Sequence, residues 1–127
     1  MESKATLWTG RVFTAIVGIF MLMDGIGKLI KPEQVVKATL ELGFPESTVL
    51  PLGVVLIVST VLYLIPRTAV LGAILLTGYL GGAVAAHVRM NESAFSMSFA
   101  LAFGVLTWGG LYLRDAKLRA LIPLKKN

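Results

Sequence analysis

The sequence predicts an all-α protein, a transmembrane four-helix bundle with both termini cytoplasmic and a short amphipathic helix in the first, outer connection. Three observations predict it. Apolar residues make up 56% of the 127 residues and charged residues only 15%, with a mean hydropathy of +0.80. A soluble domain is nearer to about 45–50% apolar and about 25% charged, and a chain this short cannot hide so much apolar surface from water. Four segments reach the length of about 20 apolar residues that a helix needs to cross the hydrocarbon core. Polar connections separate them, and all but the first are short.

The first span covers about 7–30. The polar MESKAT precedes it, and its apolar run is too long for a signal peptide. The continuation GIGKLIKPEQ offers no clear cleavage site, so the segment reads as a membrane helix. The second span covers about 48–65 and the third about 68–88, with only Pro66 and Arg67 between them. So short a turn makes them antiparallel neighbours. The fourth covers about 95–113, after Arg89-Met-Asn-Glu-Ser-Ala. The first connection, KPEQVVKATLELGFPES, is the long one. Val35, Val36, Leu40 and Leu42 with charges between them suit a short helix at the membrane surface, and Gly43 and Pro45 end it. Residues 1–127 thus read as a single integral membrane domain with a basic cytoplasmic tail over 114–127.

Four spans put both termini on one side. That side collects eight basic residues (Lys4, Arg11, Arg67, Arg114, Lys117, Arg119, Lys125 and Lys126) and the other side four (Lys28, Lys31, Lys37 and Arg89). The positive-inside rule then places the termini in the cytoplasm. Trp8, Tyr63, Trp108 and Tyr112 fall near the same end, as an interfacial aromatic belt would. The net charge of +5 is therefore read as anchoring to the lipid bilayer and not as a nucleic-acid surface.

Ionisable groups inside a span are costly unless they face a partner or a wet cavity. The first and third spans run in the same direction. The first carries Asp24 and Lys28 near its outer end, an i, i+4 pair in the favourable order. The third ends on His87 and Arg89. At 1.5 Å rise per residue, Lys28 and His87 should lie at similar depth, with Asp24 about one turn deeper. Asn91 and Glu92 follow in the next loop, and Glu33, Glu41 and Glu46 lie in the long connection. Asp24, Lys28, His87 and Arg89 are the candidates for ligand binding or proton relay. The plain alternative is a polar rim, with Asp24 and Lys28 paired along one helix. Gly78 and Gly82 form a GxxxG pair, read first as close helix packing and second as room for a flat ligand or a partner chain.

One histidine and no cysteine cannot build a conventional haem, zinc or iron–sulfur site. Met21, Met23, Met90 and Met97 lack an ordered ligand spacing. No metal site and no intrinsic cofactor are expected. No phosphate-binding glycine loop, nucleophile elbow or paired-carboxylate signature is found, so no catalytic residue is assigned.

The chain resembles the DoxX-like family of small bacterial membrane proteins over nearly its whole length. The resemblance rests on GIGKLIKPE, LGFPES, IPRTAVLGAILLTGYLGGAVAAHVRM and WGGLYLRDAKLRALIPL. Positions matching the family pattern are Gly25, Lys28, Pro32, Gly43, Pro45, Pro66, Gly81, Gly82, His87 and Arg89. The resemblance implies a four-helix bundle in the bacterial cytoplasmic (inner) membrane. It also implies links to membrane oxidoreductase complexes, since the family takes its name from part of a thiosulfate:quinone oxidoreductase. Two functions are expected from it and from the residues together. The first is a redox-associated or small-ligand component that holds a quinone or a lipid. The second is a non-enzymatic subunit or assembly partner, contacting another membrane protein or a second copy. Neither is an autonomous enzyme. A small-solute transporter ranks below both, for want of inverted repeats.

Overall fold

The computed structural model describes residues 3–90 and 94–125, and they form six α-helices and no strand. These are α1 (Lys4–Ile30), α2 (Glu33–Glu41), α3 (Val49–Leu64), α4 (Ala69–Arg89), α5 (Ala94–Arg114) and α6 (Ala116–Arg119). Single 3-10 turns, Glu46–Thr48 and Pro66–Thr68, lead into α3 and α4. Three helical segments are long and apolar enough to cross a membrane: Lys4–Ile30, Glu46–Leu64 and Pro66–Arg89. The fourth long helix, α5, has 21 residues.

Local chemistry sets the ends. Ser3 caps α1, its hydroxyl accepting from the Thr6 N–H at 3.1 Å. Lys31 stops α1 in the left-handed region at φ 58°, and its N–H returns to Gly27 O at 3.0 Å. Gly43, at φ 89°, ends the α2 segment in a Schellman turn. There Gly43 N–H bonds Leu40 O at 3.0 Å and Phe44 N–H bonds Thr39 O at 3.3 Å. Pro51 sits in the first turn of α3, where its missing N–H leaves no intrahelical bond unmade.

The four long helices pack in a ring. α1 lies against α3 and α5, and α4 lies against the same two. Among the described residues α1 and α4 make no close backbone contact. Glycines set the tightest approaches. A Cβ at Gly10 would meet Gly110 O at 2.8 Å, and one at Gly53 would meet Gly25 O at 3.0 Å. One at Gly72 would collide with the Tyr63 backbone. Val17, Leu56, Leu76 and Phe103 fill the centre. Ile19, Val58, Ile74 and Val105 face outward and stay exposed, as expected of helices solvated by lipid.

The buried hydroxyls of the core are satisfied at short range. Ser59, Thr60 and Thr107 each donate to the carbonyl four residues back, at 2.7 Å. Tyr63 corrects the aromatic-belt expectation. It is 0% exposed, so it is a core residue and not a headgroup-level one. Its hydroxyl donates to Thr107 O at 2.7 Å and lies 3.4 Å from the Thr14 hydroxyl. One phenol thus ties α3 to α5 and α1. Trp8 is 59% exposed, with the Arg11 guanidinium 5.1 Å from its ring centre.

These contacts fix two stability outcomes, both readable by thermal unfolding in detergent. Gly72→Ala is expected to destabilise the fold by about 1–3 kcal/mol, the usual cost of overpacking. Gly78→Ala, whose new methyl would meet nothing within 4 Å, is expected to be neutral. Equal effects would refute the assignment of Gly72 to the α3–α4 contact. Tyr63→Phe is expected to cost about 0.5–1.5 kcal/mol, the worth of one hydrogen bond.

Candidate functional site

Asp24 and Lys28 stand one turn apart on α1, with Lys28 Nζ 2.7 Å from Asp24 Oδ1. The Lys28 side chain is 13% exposed and that of Asp24 is 38%. Packing decides where the pair points. Gly25 and Gly53 let α1 and α3 close up, and a Cβ at Gly53 would fall 2.8 Å from Lys28 Cβ. The lysine stem therefore rests on α3 and its ammonium turns into the gap between α1 and α4. Tyr79 of α4 reaches across that gap and interacts with Lys28.

His87 lies two turns further along α4. Its Nδ1 is 2.6 Å from Ala83 O. A carbonyl only accepts, so Nδ1 carries the proton, and in the neutral ring Nε2 is left as an acceptor. Asp24, Lys28, Tyr79 and His87 all line one cavity of about 700 Å3, a volume within the range of about 300–1,000 Å3 typical of small-molecule sites.

The opposite wall is aromatic. Phe95, Phe99 and Phe103 follow one face of α5, with centroids 6.2 and 5.2 Å apart in sequence. Phe20 of α1 stacks on Phe103 at 4.6 Å. The α2 helix forms the roof through Gln34, Val35, Ala38 and Thr39. Its charged residues Glu33, Lys37 and Glu41 stay exposed. The inner face of the amphipathic helix thus covers a cavity, and Glu33, Glu41 and Glu46 are outside it.

Arg89 is placed differently from the other three candidates. It does not line the cavity. Its Nη2 donates to Leu42 O at 3.0 Å, and its guanidinium lies 5.8 Å from the centre of the Phe44 ring. Leu42 and Phe44 both line the cavity, so Arg89 fastens the end of the roof to the end of α4. Gly43 makes room for this clasp: a Cβ there would lie 2.6 Å from Arg89 Nη2. Asn91 and Glu92, expected beside the cluster, lie outside the described residues.

The glycine pair also differs from its first reading. Cβ atoms at Gly78 and Gly82 would meet nothing within 4 Å, and both residues line the cavity. They open space and carry no helix contact. Sequence reasoning missed Tyr79 and the phenylalanine wall. The available signal was spacing. Tyr79, Ala83 and His87 recur every four residues on α4, as do Phe95, Phe99 and Phe103 on α5.

Chemically, the polar wall offers an ammonium and a phenol as donors and a carboxylate and an imidazole as acceptors. Asp24 compensates the charge of Lys28, so the wall has hydrogen-bonding capacity without a large excess charge. Such a site suits a neutral molecule with oxygen atoms on an apolar or ring-shaped body.

The clasp has a direct test, because the chain has no cysteine. Thr39 is 6% exposed beneath the roof, so a Thr39→Cys thiol should react slowly with a maleimide. Adding Arg89→Ala removes a charge-assisted hydrogen bond and should speed that reaction by about tenfold. An unchanged rate would mean that the roof does not depend on Arg89.

Comparison with known proteins bears on the same residues. No curated protein and no solved structure matches the chain. The model of the DoxX-like family matches residues 12–110. That stretch contains Asp24, Lys28, Tyr79, His87 and Arg89, and it ends before α6. With its cavity walls and roof all inside the match, the chain belongs to the DoxX-like family of membrane proteins.

Proposed function

We propose that this chain is a ligand-binding component of the bacterial cytoplasmic membrane, and that the α2-roofed cavity holds a small neutral amphipathic molecule of the quinone type. In this reading α1, α3, α4 and α5 form a transmembrane bundle with both termini cytoplasmic, so the cavity lies at the outer end. The carrying observation is the pairing of walls. Lys28 and Tyr79 place hydrogen-bond donors at one side of a 700 Å3 space, and the Phe20–Phe99–Phe103 cluster lies at the other. A quinone ring would stack on the phenylalanines and present a carbonyl to Lys28 or Tyr79. Its hydroxyl form would have His87 Nε2 as an acceptor. One ring thus meets donors and acceptors without needing net charge.

The protein's part would be to bind, orient and shield the ligand. His87 and the Asp24–Lys28 pair are placed to hold or pass a proton. With no cysteine and one histidine, electrons would have to come from another membrane protein. The component would therefore act beside an oxidoreductase and not alone.

Mass spectrometry of small molecules extracted from gently purified protein tests the reading. Wild type should carry an enriched quinone or quinone-like lipid. Asp24→Ala, His87→Ala and Tyr79→Phe should each lower its occupancy by about tenfold, the order expected when a buried polar contact is lost. If no small molecule is enriched and the variants fold normally, the cavity is a structural void and the chain is a partner-binding subunit without a ligand.

A further inference from the structure

A second cavity, of about 710 Å3, lies between α4 and α5 and is separate in chemistry from the first. It is a groove along the outer side of these helices, bordered by exposed Leu101 and Val105. From Ala100 to Leu113 it follows fourteen residues of α5, about 20 Å at the helical rise. One leaflet of the hydrocarbon core is about 15 Å deep, so the groove can take the full length of one acyl chain.

Its interior is largely apolar, and the polar atoms of Trp108 and Thr77 satisfy each other. Trp108 Nε1 donates to the Thr77 hydroxyl at 2.6 Å, and that hydroxyl donates to Ala73 O at 2.7 Å. Beyond this pair, Tyr112 is the one lining residue with a polar side-chain group. Gly81 and Gly104 line it, and Cβ atoms on them would meet nothing within 4 Å. The space is thus not a seam between packed helices.

The groove reaches the end of the molecule that carries both termini, where Gly10 of α1 lies against Arg114 of α5. There Leu118 and Ile122 turn inward to line it. Arg119 Nη1 holds this segment in place by donating to Tyr112 O at 2.7 Å. The same segment is strongly basic. From Arg114 onward the chain has five basic residues and a single acidic one, Asp115. The Asp115 carboxylate is engaged in capping α6, accepting from the N–H groups of Lys117 and Leu118 at 3.0 and 3.4 Å. Lys117 and Lys125 are exposed.

We infer that the α4–α5 groove is a binding site for an anionic phospholipid. An acyl chain fills the groove over Gly81 and Gly104, and the phosphate headgroup sits among the basic residues of α6 and the segment after it. Charge complementarity selects this occupant over a neutral lipid, since each lysine near the headgroup level adds attraction to an anionic surface. It also selects a lipid over a partner helix, because the attraction is concentrated at one end of an otherwise apolar slot. The site does not depend on the proposed quinone cavity.

The test is native mass spectrometry of the full chain released from vesicles of equimolar phosphatidylglycerol and phosphatidylcholine. The expected result is retained lipid with a preference for phosphatidylglycerol of at least about fivefold. Gly104→Leu fills the groove and should abolish retention while the melting temperature stays the same. Lys117→Gln with Lys125→Gln should leave retention but remove the preference, which keeps the test decisive if Gly104→Leu misfolds. Equal retention of the two lipids by the native chain would overturn the proposal. So would unchanged retention in Gly104→Leu, or a second protein chain bound in place of lipid.

Discussion

The close approach of α1 and α3 at Gly25 and Gly53 is the constraint on which the candidate site rests. Neither position tolerates a side chain without moving a neighbour: a Cβ at Gly25 would lie 2.5 Å from Ile57 Cγ1. In lipid, helices gain nothing from hiding apolar surface that lipid already solvates. Close backbone approach through small residues is what brings them together. Here that approach lays the Lys28 stem on α3 and directs its ammonium away from lipid. With α3 and α5 each bridging α1 and α4, the two diagonal helices stay apart. The cavity occupies the gap left between them.

An ion pair inside such a gap follows from the cost of burying charge. Asp24 has too short a side chain to reach a distant headgroup layer, so it needs a partner nearby, and Lys28 supplies one at 2.7 Å. The pair keeps polar atoms inside the molecule while leaving little uncompensated charge. Tyr79 and His87 then extend the polar wall. On the far side the phenylalanines provide contact area without hydrogen bonds. The roof obeys the same economy of polar groups. The Leu42 carbonyl, left over where α2 ends, takes the Arg89 guanidinium, and Gly43 supplies both the positive φ and the space that this contact needs. At the opposite end, Tyr63 ties three helices through one hydroxyl.

The two cavities differ in what they ask of an occupant. The roofed one has donors and acceptors facing an aromatic wall, which favours a molecule with oxygens on a ring. The α4–α5 groove has a largely apolar interior and its charge outside, at one end, which favours a chain with a headgroup. The glycines of α4 serve both: Gly78 and Gly82 open the first, and Gly81 opens the second.

Much of this was legible in the residues. Composition and the length of the apolar runs determined an all-helical chain with helices able to cross a membrane, because uncompensated apolar surface has only lipid to face. Spacing determined the Asp24–Lys28 pair, since residues four apart share a helix face. Counting residues along two spans that run the same way was enough to put Lys28 and His87 near one end of the bundle, and both line the cavity, but Tyr79 and not His87 is the α4 residue opposite Lys28. Tertiary structure alone decided the rest. A GxxxG spacing describes a smooth face but not what lies opposite, and opposite Gly78 and Gly82 there is open space. An arginine at a helix end has long reach, and only the placement of the α2–α3 loop sends Arg89 to Leu42 and out of the cavity. A tyrosine near the end of an apolar run can face headgroups or core, and the contact of Gly72 with the Tyr63 backbone turns this one inward. Periodicity fixes which face of a helix a residue occupies. The neighbour that face meets is set by how helices distant in sequence pack together.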